Sequence, residues 1–296
     1  MDEKIKTLNK KGFIAALDQS GGSAEKALKK YGIEENRYQT DEEKINLMHE
    51  MRKRVITNDN FTSDKIIGVI LFEEEMTKKT KGEYTPDYLW NQKKIPSFVK
   101  IDNGLMETEN GVSLMKEIKQ LDNKIENAKK HGIIGTKMRS VIYENDKKGI
   151  EKLVDQQFKL ASIIYSKGLI PIVEPEVNIN AIDKEECEKS LVKELDKHLN
   201  NSNIQIILKL TLPEIPNTYE KYTKHKNVLK VLALSGGYKR DYACEKLSKN
   251  KGVIACFSKA FLEDLREKQT KEEFNNIIKK TIDEIYEASI SRSKKR

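Results

Sequence analysis

Short runs of apolar residues alternate along the chain with longer segments in which apolar residues recur every three or four positions. The short runs are typical of strands buried on both faces, and the longer segments are typical of amphipathic helices. The predicted strands cover residues 12–17, 66–72, 97–101, 133–138, 169–174, 204–210, 228–234 and 252–257. The predicted helices cover residues 23–31, 41–57, 111–131, 150–165, 184–199, 240–249 and 274–285.

Strands that alternate with helices predict a parallel sheet, and eight such strands in a chain of 296 residues favour a closed barrel over an open sheet. We therefore expect an α/β protein with the (β/α)8 TIM barrel fold, in one domain spanning residues 1–296. The long segment 31–64 should hold an extra helix, with Asp41 as the N-cap of helix 41–57. Residues 289–296 are expected to form a flexible basic tail.

Composition and charge indicate which kinds of partner and which compartment to expect. Charged residues make up 34% of the chain, with a net charge of +8 that suits anionic small molecules. The charges are interspersed, so we expect no specific nucleic-acid partner. There is no run of 18 apolar residues and no apolar signal segment, and the three cysteines have no CxxC spacing. We expect a cytoplasmic protein with no membrane partner.

The most informative residue is Lys209, which follows the apolar run 204–208. An ammonium at the end of a buried strand is costly to desolvate, so it is usually paired, deprotonated or used. A deprotonated lysine can attack a ketone and form a Schiff base. The alternative is a lysine whose charged end reaches solvent from the end of the strand.

Other ionisable residues end the remaining strands, at the face where barrel enzymes carry their active sites. They are Asp18, Lys100, Asp102, Lys137, Arg139, Glu174, Glu176 and Lys259, with Ser258 beside the last. A single charge at a strand end is usually a solvated loop residue, but the set contains a nucleophile, acids, bases and anion binders. Repulsion among Lys100, Lys137 and Lys209 is expected to lower the pKa of the least solvated lysine.

Two glycine-containing loops are candidates for phosphate binding, since glycines let backbone N–H groups approach an anion. One is Ser235-Gly236-Gly237, which could also be an ordinary turn, and the other is segment 19–23 with Ser23 and, in the next helix, Lys26. Two sites flanking Lys209 would suit a sugar bisphosphate. The four histidines show no ligand spacing and are interpreted as surface residues, so we expect no metal site.

Taken together and in order, these segments resemble a class I fructose-1,6-bisphosphate aldolase of the shorter bacterial form, over about residues 10–288. The matching segments are AALDQSGGS (15–23), GVILFE (68–73), VKID (99–102), GTKMR (135–139), PIVEPE (171–176), LK (208–209) and LSGG (234–237). The resemblance implies a homo-oligomeric barrel lyase of glycolysis and gluconeogenesis, without cofactor or metal. Such enzymes reversibly cleave fructose 1,6-bisphosphate to dihydroxyacetone phosphate and glyceraldehyde 3-phosphate.

The resemblance also implies catalytic roles. Lys209 is the Schiff-base lysine, and Glu174 is the main acid and base. Lys137 stabilises the carbinolamine, Asp18 takes the C4 hydroxyl proton, and Glu176 orients and tunes Lys209 and its neighbours.

Binding roles follow from the same resemblance. Lys100 and Arg139 line the substrate channel. The phosphate on C1 lies against Ser235, Gly236 and Gly237. The implied contacts for phosphate also include Ser23, Lys26, Ser258 and Lys259.

The chain departs from the family pattern in three places. Ala27 and Lys259 stand where the family often has arginine, and no C-terminal tyrosine is present. Lysine cannot make the two parallel hydrogen bonds that an arginine guanidinium makes to a phosphate, so we expect the phosphate to be bound differently here. Two alternatives stay open: a Schiff-base aldolase for another phosphorylated ketose, such as tagatose 1,6-bisphosphate or a monophosphate, and a noncatalytic polyanion-binding protein.

Overall fold

Eight parallel strands form the barrel in the computed structural model, which describes residues 2–291. The strands are β1 (Phe13–Leu17), β2 (Ile66–Leu71), β3 (Ser97–Lys100), β4 (Gly135–Ile142), β5 (Ile170–Val177), β6 (Ile206–Thr211), β7 (Val228–Leu234) and β8 (Val253–Ala255). They follow one another in chain order around the sheet. The seam between β8 and β1 is joined by a backbone hydrogen bond of 3.4 Å from Ala16 N to Phe257 O. The predicted (β/α)8 fold is thus the observed one.

Nine helices are found in the described residues. They are α1 (Asp2–Thr7), α2 (Gly22–Tyr31), α3 (Asp41–Ile56), α4 (Thr85–Lys93), α5 (Leu121–Lys130), α6 (Lys147–Ser166), α7 (Lys184–Asn200), α8 (Arg240–Ser248) and α9 (Lys271–Ile290). Extra helix α3 lies in the long first connection, as expected. Within residues 2–291, none of the helices has the length and apolarity needed to cross a membrane.

Alternating side chains of the strands build two apolar layers. Ile14, Ile172 and Ile207 belong to the cluster that fills the barrel, whereas neighbours such as Ala15 and Leu208 pack in the larger cluster outside it. This is the two-residue period that a closed sheet requires. The inward rows set the positions of the polar residues that follow at the strand ends.

Several boundaries differ from the predictions. The N-cap of α3 is Thr40 and not Asp41: the Thr40 hydroxyl accepts from Glu43 N at 3.2 Å, and the Glu43 carboxylate accepts from Thr40 N at 3.1 Å. This capping box satisfies two backbone groups together, which a cap at Asp41 would not do.

The predicted helix 111–131 is wrong in its first half. Residues Val112–Ser113 form a short strand antiparallel to the end of β4, and α5 begins only at Leu121. Gly111 crosses β4 closely with a φ of 70°, and a Cβ there would lie 2.9 Å from Glu144 Cβ. Helices α1 and α4 were not predicted, since each is short.

The predicted tail begins too early. Ser289 lies in α9, is buried, and its hydroxyl accepts from Ala255 N at 3.0 Å. This bond ties the end of α9 to β8. Residues 292–296, the rest of the predicted tail, lie outside the described residues.

Candidate active site

Four buried, charged side chains meet at the carboxyl end of the barrel and alternate in sign. Lys137 Nζ lies 2.7 Å from Asp18 Oδ2 and 3.0 Å from Glu174 Oε2. Lys209 Nζ lies 2.9 Å from Glu174 Oε1. The four residues are only 3–6% exposed. Glu174 therefore joins the two lysines, with one carboxylate oxygen facing each.

The inward rows of the strands explain why these residues meet. Asp18 continues the row of Ile14 and Ala16 on β1, and Lys209 continues from Ile207 on β6. Glu174 likewise continues from Ile170 and Ile172 on β5. Each polar residue thus stands on the core side of its strand, one step above the apolar filling.

The charge state of Lys209 differs from the prediction. Burial disfavours its ammonium, but its pKa is raised, with Cys256, Glu174 and Asp18 as the groups that favour the charged form. Burial also raises the pKa of Cys256 to about 12, so this thiol is neutral near pH 7. The contact with Glu174 at 2.9 Å favours the charged form against burial and Lys137, and the pKa of Lys209 is raised where the sequence analysis expected it to be lowered.

The partners of Lys209 hold their charges as well. Burial would raise the pKa of Asp18, yet Lys137 and Lys209 bring it well below its usual value. Burial would lower the pKa of Lys137, yet Asp18 and Glu174 raise it. The cluster is therefore a stable arrangement of two cations and two anions before any substrate is present.

A second group of charges surrounds the first. Lys100 Nζ lies 2.9 Å from Asp102 Oδ1, while the same carboxylate accepts from the backbone of Gly104 at 3.0 Å and of Arg139 at 3.2 Å. Asp102 therefore fixes the position of two predicted channel residues. Its place after β3 was visible in the sequence, but a role in holding Lys100 and Arg139 was not inferred.

Glu176 contacts Arg139, another of the predicted cavity residues. Its Oε2 accepts a hydrogen bond of 2.6 Å from Arg139 Nε. Within residues 2–291, the ion-pair partner of Lys209 is Glu174 and that of Glu176 is Arg139. Any effect of Glu176 on Lys209 is therefore indirect.

The loop after β7 is built on two glycines with positive φ. Gly236 and Gly237 have φ values of 62° and 120°, in the region that favours glycine. A Cβ at Gly236 would lie 2.6 Å from Ile179 Cγ2. The loop therefore requires glycine for both its conformation and its space.

A second loop, residues 19–23, follows β1. Here Ser23 Oγ accepts from Ser20 N at 2.9 Å and donates to Ser20 O at 2.8 Å. Between the two loops in the strand order lies the end of β8, where Lys259 is exposed. Exposed Lys26 is one turn into α2. That these groups hold two phosphates flanking Lys209 stays a prediction.

All of these groups face one cavity of about 910 Å³. The predicted site residues that line it are Asp18, Ser23, Lys26, Lys100, Lys137, Arg139, Glu174, Glu176, Lys209, Ser235, Gly236, Gly237, Ser258 and Lys259. The structure thus brings the whole predicted set together. It also adds lining residues that the sequence analysis did not select, including Glu74, Lys124 and Cys256.

The interpretation of the histidines needs one correction. His49 is buried, and its Nδ1 lies 2.5 Å from Glu75 Oε1. The apolar pattern of α3 gave no sign that this residue faces inward. Within residues 2–291, no three His, Cys, Asp or Glu side chains cluster as a metal site would require. Independence from metal stays a prediction.

Comparison with known proteins identifies the family. A family model described as fructose-bisphosphate aldolase class-I, in a glycolytic group, matches residues 3–232. The fructose-bisphosphate aldolase class 1 of Clostridium acetobutylicum is 53% identical over 283 residues, which cover 95% of this chain and 96% of the relative. The chain belongs to the class I fructose-bisphosphate aldolases. The predicted family is therefore confirmed.

Solved structures agree with the fold of this aldolase. Fructose-bisphosphate aldolase from Plasmodium falciparum, in a complex with TRAP and an inhibitor, superposes with a TM-score of 0.78 at 19% identity, covering 100% of this chain and 96% of that one. An archaeal fructose-1,6-bisphosphate aldolase, whose catalytic lysine is bound to a carbinolamine intermediate, gives 0.57 at 12% identity, covering 96% and 98%. At these identities the likeness concerns the fold, and the predicted barrel is confirmed.

Proposed function

We propose that this aldolase reversibly cleaves fructose 1,6-bisphosphate to dihydroxyacetone phosphate and glyceraldehyde 3-phosphate, with Lys209 as the Schiff-base nucleophile. The observation that carries the assignment of the nucleophile is the contact between Lys209 Nζ and Glu174 Oε1 at 2.9 Å in a buried cluster. Family membership supports the reaction and its substrate.

Schiff-base formation begins with proton transfer. Because the pKa of Lys209 is raised, its ammonium first gives a proton to Glu174. The neutral amine then attacks the C2 carbonyl, and the adjacent Lys137 ammonium stabilises the oxygen of the carbinolamine. Glu174 returns the proton to that oxygen, then takes a proton from the attached nitrogen and passes it to the same oxygen, which leaves as water with formation of a protonated imine. Glu174 Oε2 lies near Lys137 without hydrogen-bond geometry, so it has lone pairs available for these transfers.

Cleavage of the C3–C4 bond uses the opposite end of the cluster. Asp18, kept ionised by Lys137, takes the C4 hydroxyl proton as the bond breaks. The aldehyde leaves, and the electron pair is held as an enamine on Lys209. Protonation at C3 and hydrolysis of the imine then release dihydroxyacetone phosphate and restore Lys209. The loop 235–237 would hold the C1 phosphate, and Ser23 with Lys26 the other.

We also propose that the protein is a cytoplasmic homo-oligomer, as the family resemblance implies. The three free cysteines, Cys187, Cys244 and Cys256, are consistent with a reducing compartment. Light scattering of the purified protein measures its oligomeric state, and cell fractionation measures its location.

The decisive experiment is borohydride reduction with dihydroxyacetone phosphate, followed by peptide mass spectrometry. We expect an adduct on Lys209 alone, and we expect Lys209→Met to abolish cleavage while leaving the circular dichroism spectrum unchanged. An adduct on Lys137 or Lys100 would reassign the nucleophile, and cleavage by the methionine variant above a trace would exclude Lys209. Competition with tagatose 1,6-bisphosphate and with monophosphates tests substrate choice.

A further inference from the structure

We propose that Arg52, on α3 outside the barrel, is a positioning residue for Asp18. By holding the backbone of the next residue, Gln19, it keeps the Asp18 carboxylate in the place where it takes the C4 hydroxyl proton. The inference rests on the role proposed above for Asp18, and it adds a residue that does not itself touch the substrate.

The contacts of Arg52 are short and buried. Its Nη2 donates to Gln19 O at 2.6 Å, and its Nη1 donates to Glu75 Oε2 at 3.3 Å. Arg52 is 2% exposed and Glu75 is 1% exposed. A guanidinium presents two such donors in a rigid fork, which a lysine cannot reproduce. The Arg52 side chain therefore links the turn after β1 to the segment after β2.

Glu75 is itself held in place. Its Oε1 lies 2.5 Å from His49 Nδ1 and accepts from Thr85 Oγ1 at 3.3 Å. His49 comes from α3 and Thr85 from the start of α4. The carboxylate that fixes Arg52 is thus held by a second residue of α3 and by one residue of α4, so the guanidinium has little freedom to move.

The turn after β1 needs such support because it lies at the seam of the barrel. β1 pairs with β2 over its whole length, but it meets the chain after β8 through one backbone hydrogen bond, from Ala16 N to Phe257 O at 3.4 Å. The Gln19 side chain adds one link across the seam, donating to Ser258 Oγ at 2.8 Å, and it also donates to Ala16 O of β1 at 3.0 Å. The main chain of Gln19 is held by Arg52.

This arrangement separates two parts of the reaction. Asp18 directly follows β1, whereas Lys209 and Glu174 lie on β6 and β5, across the barrel from α3. Loss of the Arg52 fork should move Asp18 and leave the Lys209–Glu174 pair in place. Cleavage depends on Asp18. Dihydroxyacetone phosphate has no C4 hydroxyl, so enamine formation from it does not need proton transfer to Asp18.

The test compares Arg52→Lys with Arg54→Lys. Arg54 lies two residues further along α3, donates to the carbonyls of Arg266, Glu267 and Gln269, and does not line the cavity. For Arg52→Lys we expect kcat for cleavage to fall by about 100-fold, since misplacement by about 1 Å has costs of that order. KM and the exchange of the C3 proton of dihydroxyacetone phosphate with solvent should stay within about threefold. Arg54→Lys should match the parent protein in kcat for cleavage, in KM and in the rate of proton exchange.

A double-mutant cycle with Asp18→Asn distinguishes positioning from general stability. In the Asp18→Asn background, Arg52→Lys should lower kcat by less than about threefold, because the group it positions is already disabled. Arg52→Met/Glu75→Gln removes both buried charges together, so it should remain folded while showing the same selective loss of cleavage. Melting curves establish the folding of each variant.

Three results would overturn the inference: unchanged cleavage in Arg52→Lys, a parallel fall in cleavage and proton exchange, or a full additional loss in the Asp18→Asn background. Failure of the proposed function would look different. In that case Lys209→Met would retain activity, or Asp18→Asn alone would cleave normally, whatever Arg52→Lys does.

Discussion

Replacing Lys137 with methionine should destabilise the protein mainly because it leaves two carboxylates buried without the cation they share. Lys137 is 3% exposed and contacts Asp18 at 2.7 Å and Glu174 at 3.0 Å. Methionine fills a similar volume, so little cavity is created. Breaking a buried ion pair by removing one partner costs about 3–5 kcal/mol. That is a large share of the roughly 5–15 kcal/mol by which proteins are stable.

The loss should depend on pH in a specified direction. In the parent, the pKa of Asp18 is held below its usual value, so its contribution to stability is present above about pH 4 and is lost as the pH falls. In Lys137→Met, the two carboxylates repel each other and burial favours their neutral forms, so acidification helps the variant. The gap in unfolding free energy should therefore be largest at pH 7–8 and shrink toward about pH 5.

Urea unfolding, followed by circular dichroism and by the fluorescence of the single tryptophan, measures the gap. Lys189→Met is a matched control, because Lys189 also contacts two carboxylates, Glu185 and Glu186, each at 2.7 Å, but on the surface. We expect no measurable change for it. A second variant, Lys137→Met/Asp18→Asn, should recover part of the loss. A gap below about 1 kcal/mol, or one constant from pH 8 to 5, would refute the reasoning.

Two further predictions concern a buried histidine and metal ions. Since its hydrogen bond to Glu75 raises the pKa of His49, charged His49 should stabilise the fold below about pH 6.5, and this contribution should fade as the pH rises through the raised value. His49→Gln should therefore cost about 2 kcal/mol in urea unfolding near pH 6 and less at pH 9, and a gap independent of pH would contradict this. Cleavage should be unaffected by excess EDTA in a standard activity assay, whereas a loss that zinc restores would disprove independence from metal.

The barrel could be predicted because its strands carry strong local signals. Runs such as 13–17 and 66–71 are apolar on both faces, as a parallel sheet between helices and a packed interior requires. Short helices carry less information: α4 has nine residues and a weak apolar face, and α1 has six. The stretch 111–120 looked helical, yet Val112–Ser113 pair with β4, and Gly111 approaches Glu144 too closely to carry a side chain.

The identities of the cavity residues could be predicted because strand ends converge in any barrel. The residues that hold the cavity residues in place could not be predicted, since their burial depends on the tertiary structure. Arg52 lies in the charged sequence HEMRKR, where it looks like its more exposed neighbours Glu50 and Lys53, and only the packing of α3 against the turn after β1 buries it. His49 was misread as a surface residue for the same reason.

The sign of the pKa shift at Lys209 shows how far reasoning from residue types extends. Lys100, Lys137 and Lys209 were expected to repel one another, but each has a carboxylate within 3.0 Å. Coulomb energy falls with distance, so adjacent opposite charges outweigh more distant like charges, and the order of charges around the barrel decides the outcome. Because Glu174 stands between Lys137 and Lys209, it both keeps Lys209 protonated in the free enzyme and is placed to remove that proton. If Lys209 is the nucleophile, as proposed, we expect it to be activated by proton transfer to Glu174 and not by a lowered pKa.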